Sequence, residues 1–198
     1  MTIQDADGCE GQTDLRITAA NQILLDFAPI DPITLGDSQQ LFVSSNIIPD
    51  SIIWNPIEDL SCTNCLDPVI RPRNQGIYLV TIFDENGCSA SDQIDILVNK
   101  EERVFIPNSF SPNADGINDN FMVFGGPDVT RVTQFRIFNR WGALVFSISD
   151  FPPNDPLFGW DGTFDGEEVN PGVYVYVVEV EFFDGRTVMK TGDITVIR

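Results

Sequence analysis

The residues best placed by type and spacing to do chemistry lie in the run Phe105-Ile106-Pro107-Asn108-Ser109-Phe110-Ser111-Pro112-Asn113-Ala114-Asp115-Gly116-Ile117-Asn118-Asp119-Asn120-Phe121. Asn or Asp side chains crowd this run, at 108, 113, 115, 118, 119 and 120, and Gly116 permits a sharp bend. Ca²⁺ takes oxygen ligands that alternate positions of a tight loop can supply. Asn113, Asp115 and Asp119, with the backbone carbonyl of Ile117, would make a partial calcium site. The spacing is not that of an EF-hand, and the closing Glu is missing. The competing expectation is a compact loop held by Asx-turns, with no ion. A second acidic stretch runs Trp160-Asp161-Gly162-Thr163-Phe164-Asp165-Gly166-Glu167-Glu168. Asp161 and Asp165 are the pair that suggests a glycosidase. Each precedes a glycine, as turn residues do, and no cleft-forming segment accompanies them, so no catalytic residue is assigned. Trp160 reads as a core or rim anchor ahead of a sugar-stacking platform.

Composition narrows the chemistry further. The 198 residues contain no His, which removes Ser–His–Asp and Cys–His sites and any His-ligated zinc. The net charge is −19, and both halves of the chain are acidic, so a phosphate backbone would be repelled and nucleic acid is excluded as a partner. Four cysteines stand at 9, 62, 65 and 88, with only Cys62 and Cys65 close in sequence, too few close pairs for a four-thiolate zinc site. The acidic, strand-rich pattern fits an oxidising compartment. There Cys62 and Cys65 form a short-loop disulfide, or one of them reaches Cys88. The C-T-N-C spacing lacks the βαβ surroundings of a thioredoxin-like site. No apolar run approaches the length that a membrane-spanning helix needs. No signal peptide opens the chain, which for an exported protein is the mark of a piece of a longer one.

The elements that must position these groups are strands. Thr2-Ile3-Gln4-Asp5-Ala6-Asp7-Gly8-Cys9 is repeated as Thr81-Ile82-Phe83-Asp84-Glu85-Asn86-Gly87-Cys88, and the step from Thr2 to Thr81 is the length of a small sandwich domain. Each copy continues through a polar stretch to an Asp and an alternating apolar run. Residues 1–20 therefore read as the closing hairpin of a preceding repeat, and residues 21–100 as the first complete unit. Its expected strands are 23–27, 40–45, 51–54, 76–83 and 91–98. In Ile94, Ile96 and Val98 the apolar residues recur at period two. Asp84-Glu85-Asn86-Gly87 reads as a hairpin turn, since Asn-Gly accepts positive φ at both central positions. Residues 101–198 form the second unit, with strands expected over 104–106, 121–124, 132–139, 143–149, 172–183 and 187–197. Tyr174, Tyr176, Val178, Val180 and Phe182 mark one continuous apolar face. Nothing shows a sustained helical period. The fold class is all-β: two tandem Ig-like antiparallel β-sandwich domains.

Four segments of the second unit carry a family resemblance: Phe105 through Asp119, Phe138-Asn139-Arg140-Trp141-Gly142, Gly159-Trp160-Asp161-Gly162, and Pro171-Gly172-Val173-Tyr174-Val175-Tyr176. The unit closely resembles the gliding-motility-associated C-terminal domain, the type B sorting domain of the type IX secretion system of Bacteroidetes. A common form of that family has Gly where this chain has Ala114. The first unit resembles the Ig-like or PKD-like repeats of large surface adhesins, through Trp54-Asn55-Pro56 and Leu60-Ser61-Cys62-Thr63-Asn64-Cys65. Asp50-Ser51-Ile52 fits the O-glycosylation sequon used in Bacteroidetes. The resemblance implies a secreted cell-surface protein, not an enzyme, that passes through the periplasm and is carried across the outer membrane by its last domain. It implies as partners the translocon and a PorP/SprF-type outer-membrane protein, with an adhesin or gliding-motility protein as parent. An adhesive module binding glycan or protein is the alternative. The isolated chain is expected to be monomeric.

Overall fold

The computed structural model describes residues 2–4, 6–12 and 22–197. Every described element is a strand except one 3₁₀ turn, Pro156–Phe158. The reason is visible in the longest strands. In Gly76–Phe83 the alternate residues Tyr78, Val80 and Ile82 are buried, and in Gly172–Phe182 the same alternation buries Tyr174, Val178, Val180 and Phe182. Each is the middle strand of an antiparallel triplet. Ser51–Asn55 and Ser89–Ile96 flank the first, and Val129–Phe138 and Thr187–Val196 flank the second. The repeat seen in sequence recurs in the pairing register. Thr2 faces Gln12 as Thr81 faces Ser91, and Gln4 faces Glu10 as Phe83 faces Ser89, so the same step along the chain relates both strands. Asp14 and the apolar run after it lie outside the described residues.

Two apolar cores result. The upstream one gathers Trp54, Leu41, Ile70, Val80 and Ile96 among others; the downstream one gathers Phe110, Phe121, Phe135, Trp160, Val178 and Ile194. The architecture is Ig-like and all-β, as expected, with corrections of detail. Each unit also holds a parallel pair: Ile33–Thr34 beside Val98–Asn99, and Ser109–Phe110 beside Thr195–Val196. The strand expected over 40–45 is two pieces, because the chain changes partners, from Val69–Ile70 to Leu25–Phe27. Over 121–124 only Phe124–Gly125 is a strand, and Phe121 instead exchanges both backbone hydrogen bonds with Trp160. The hairpin turn expected at Asp84-Glu85-Asn86-Gly87 is present, with one positive φ in place of the two expected. Gly87 alone takes positive φ and donates to the Asp84 carbonyl, so a longer loop closes on a left-handed glycine. The hairpins at Gly142 and Gly185 close the same way.

Candidate recognition surface of the downstream sandwich

The two ends of the downstream sandwich are built differently. One end carries the hairpin tip Phe183-Asp184-Gly185 and the loop Gly126-Pro127-Asp128, and it is covered by the upstream unit. Leu35, which follows the upstream strand Ile33–Thr34, is 0% exposed and packs into the downstream core. Asp128, also 0% exposed, accepts from the backbone amide of Arg103 and from its Nε, both at 2.9 Å. The remaining guanidinium nitrogens of Arg103 reach Asp37 at 3.1 and 3.2 Å and the Leu35 carbonyl at 2.6 Å. Arg71 donates to the Gly36 and Pro127 carbonyls and lies 4.2 Å from the Phe183 ring centroid. Gly36 has φ +84°, and a Cβ there would overlap the Pro127 carbonyl, so glycine is required twice over. Asp184 is buried, which pushes its carboxyl up. Lys100 and Arg186, at 2.9 and 2.7 Å, outweigh that and hold it below the ordinary carboxylate value.

The far end gathers the last three motif segments and the part of the first from Phe110 to Asp119, while Phe105 faces Phe124 beside the junction. Strand direction brings them there: Phe138, Gly172 and Val196 are all at that end of their strands. The Trp160 ring packs between Phe110 and Tyr174, at 5.4 and 5.3 Å, and its Nε1 donates to the Thr163 carbonyl. Trp160 is thus a core anchor and offers no platform. Gly162, at φ +75°, lets the chain pass where a Cβ would be 2.8 Å from the Pro112 ring. Asn139, Asn170 and Tyr174 line one shallow groove, and Trp141, Pro171 and Gly172 continue it. The Asn139 side chain accepts from the Trp141 and Ala143 amides, which fixes the hairpin tip and leaves Trp141 84% exposed.

The Asx-rich loop sits at this end too. Asp119 Oδ1 accepts from the amides of Asn113 and Ala114, and Oδ2 from Gly116. These amides, Gly116 foremost, hold the Asp119 carboxyl below its ordinary value. Asp115 accepts from the Ile117 amide and from Asn113 Nδ2, and Asn113 Oδ1 accepts from the Asp115 amide. The loop therefore brings Asn113, Asp115 and Asp119 together but aims backbone donors at their oxygens. Among the described residues no group of three or more Asp, Glu, Cys or His is arranged to hold a metal. Ala114 has φ +60°, the left-handed region that favours glycine. Asp161 accepts from the Thr163 amide and hydroxyl, and Asp165 has φ +53° in the Thr163–Phe164 to Glu167–Glu168 hairpin. Both are exposed turn residues.

Cys62 is bonded to Cys65, and the Cys65 carbonyl accepts from Trp54 Nε1 at 2.8 Å, tying the small loop to the upstream core. Cys88 is exposed at the hairpin tip and is not in a disulfide. Ser51 of the glycosylation sequon is exposed at the start of its strand. The exposed Trp141 and the burial of Asp128 were not singled out from sequence. Only a turn motif with an aromatic at its tip hinted at the first, and nothing local at the second.

Residues 104–196 match the family described as the CHU_C type IX secretion signal domain. Among solved structures, a tetra-tandem repeat from the extending region of a large adhesion protein is 13% identical over 98% of this chain and 55% of its own length, with a TM-score of 0.42. Dimeric latent PorU from Porphyromonas gingivalis is 14% identical over 89% of this chain and 20% of its own, with a TM-score of 0.33. A structure of a 1.5-MDa bacterial ice-binding adhesin is 13% identical over 91% and 66%, at 0.32. The chain thus spans about half the length of the first of these structures. No curated protein matches it.

Proposed function

From residues 104–196 being a CHU_C type IX secretion signal domain, we propose that the end of this domain remote from the upstream sandwich is the face the secretion machinery reads. The chain is part of a protein secreted to the cell surface, and it engages the type IX machinery through this domain. Among the described residues no helix is long and apolar enough to cross a membrane. The observation that carries the choice of face is the convergence of three motif segments and the Phe110–Asp119 part of the first on one end, with Trp141 held outward at 84% exposure. The opposite end is covered by the upstream unit. Exposed aromatics at the centre of a patch are the residues whose burial contributes most to binding. The role is binding: the far end offers a shallow groove and exposed turns, where Asp161 serves Thr163. A PorP/SprF-type outer-membrane protein is the proposed partner after translocation, and the parent is proposed to be an adhesin or gliding-motility protein with the upstream sandwich as part of its stalk.

The whole chain fused behind a periplasmic reporter tests the reading in a host with this secretion system. The reporter is expected at the surface, and Trp141→Ala is expected to lower surface delivery about tenfold, a loss of about 1.4 kcal/mol of binding, while the melting midpoint stays put. A reporter retained in the periplasm sinks the assignment. A Trp141→Ala fusion delivered as well as the parent sinks the choice of face alone.

A further inference from the structure

The head of the upstream sandwich repeats most of the groups that, on the downstream sandwich, receive a neighbour, with the apolar Ile23 on the entering segment where the downstream unit has Arg103. On the downstream unit the seat consists of Pro127-Asp128 ahead of the strand Val129–Phe138, the hairpin tip Phe183-Asp184, and Arg103 of the entering linker. On the upstream unit Pro49-Asp50 stands ahead of the strand Ser51–Asn55, Phe83-Asp84 begins the hairpin tip, and Ile23 lies on the entering segment. A backbone link joins the same two places in each unit, with the donor exchanged: the Phe183 amide donates to the Asp128 carbonyl, and the Asp50 amide donates to the Phe83 carbonyl, each at 2.8 Å. Both tip carboxylates accept from the amide two residues on, Arg186 and Asn86. The difference is occupancy. The downstream seat holds Leu35 at 0% exposure. Among the described residues the upstream seat is an open groove of about 570 Å³ lined by Ile23, Ile47, Ile48 and Pro49, rimmed by Asp50 and Asp84, with Ile48 95% exposed.

We infer that this groove seats the tail of a preceding repeat of the same chain, the repeat whose closing hairpin is residues 2–12, in the same head-to-tail contact that joins the two sandwiches. Two observations choose this occupant. The first is reach. The step that carries Thr2 to Thr81, kept in the hairpin register, makes Ala20 the sequence counterpart of Asn99. Ile23 follows three positions later, and that length of chain spans about 10 Å at most, so the tail of a preceding repeat is tethered beside the groove. The second is complementarity. The tail that this fold presents is Leu35-Gly36-Asp37 flanked by Arg71 and Arg73, an apolar turn beside guanidinium groups. It suits an apolar groove with a carboxylate rim, as the two guanidinium groups suit the Phe183 ring below. A chain joined this way is a stiff rod, since each junction buries an apolar turn and pairs its charges.

Joining a copy of residues 22–80 directly to Thr2 completes the preceding repeat with its own hairpin. Hydrogen–deuterium exchange of amides 47–50 and 84–88 in the middle unit is expected to slow at least tenfold relative to the unextended chain, and Ile48→Asp is expected to return it. Solution X-ray scattering should show three sandwiches in one rod. Unchanged exchange, with the added copy protected over its own residues 76–80, overturns the inference. If that copy does not protect its own strands, a full copy of residues 22–99 placed ahead of Asn21 gives the same test with a hairpin that already pairs in this chain, and unchanged exchange there overturns it too. Concentration-dependent dimerisation of the unextended chain that protects the same amides would put a second molecule in the groove and overturn it equally.

Discussion

The two ends of the secretion domain solve opposite problems. At the junction end every strong group is used inside the molecule: Asp128 and Leu35 have no exposed surface, and Arg103 serves Asp128, Asp37 and the Leu35 carbonyl at once. At the far end the polar groups satisfy only their own loops, as Asp119, Asn139 and Asp161 do, and the apolar group at the tip is left in solvent. Short turns rich in Asn, Asp and Gly can thus be a device for exposure. They fix the backbone without help from neighbours, so a side chain such as Trp141 is presented on a rigid tip at low entropic cost to a partner. The junction instead fixes how the secreted part stands on its export domain.

The contrast between the ends is most vulnerable at Arg103. Replacing it with Ala leaves a fully buried carboxylate without its charged partner, and such losses cost about 3 kcal/mol or more. Denaturant unfolding of Arg103→Ala should show that loss, with the midpoint falling for both cores together because the Leu35 turn is released as well. Trp141→Ala, at the other end, should stay within about 0.5 kcal/mol of the parent, as surface changes do. Equal losses at both positions would erase the distinction between a filled end and a presented one.

How much of this was legible in the sequence follows from the range of each interaction. Strand periodicity is local, so the alternation through Tyr174, Val178 and Phe182 located the central strand and its buried face correctly. The repeat of Thr2–Cys9 at Thr81–Cys88 was legible because a hairpin carries its own register. The shortest strands were not. Ile33–Thr34 and Val69–Ile70 exist only through partners remote in the chain, Val98–Asn99 and Gln39–Gln40, and a pair of residues has no period. The hairpin turn at Asp84–Gly87 was legible, and only the φ at Asn86 departs from expectation, for a subtler reason. Asn-Gly allows two positive φ values, but the Asp84 carboxylate captures the Asn86 and Cys88 amides and selects the longer loop. The junction was invisible, because Arg103, Asp128 and Asp37 are ordinary charges until the fold brings them together. The motif segments were visible as a family signature, yet the convergence of all but the start of the first on one end needs the strand directions.

A milder substitution tests how firmly the far end holds its own backbone. Ala114 sits at φ +60°, a conformation that costs an L-residue about 1–2 kcal/mol, whereas glycine loses only its extra chain entropy of about 0.5–1 kcal/mol. Ala114→Gly is therefore expected to stabilise the chain by about 0.5 kcal/mol, the difference between those costs, read as a rise in the unfolding midpoint. A fall would mean that the loop relaxes away from the left-handed region and that its hydrogen bonds are weaker than their geometry implies.

A chelator should change least, and it bears on what holds the Asx-rich loop. Three amides already serve the Asp119 carboxylate, two at Oδ1 and one at Oδ2, and a cation would have to compete with these donors. The melting midpoint is expected to be the same with and without chelator. A fall of several degrees, restored by calcium and not by magnesium, would instead assign the loop to a bound ion through Asn113, Asp115, Asp119 and the Ile117 carbonyl. Acid separates the two ends under the same readout. Asp119 and Asp184 both have folded values below the ordinary carboxylate range, so both favour the folded state at neutral pH, and that contribution is lost as the pH falls below about 4 and through the folded values. Asp119→Asn should flatten the acid arm by the share of the far loop, and Asp184→Asn by the share of the junction, where Lys100 ties the linker to the hairpin tip. The junction share is expected to be the larger, because the Asp184 side chain is almost wholly out of water while the loop around Asp119 is open to it.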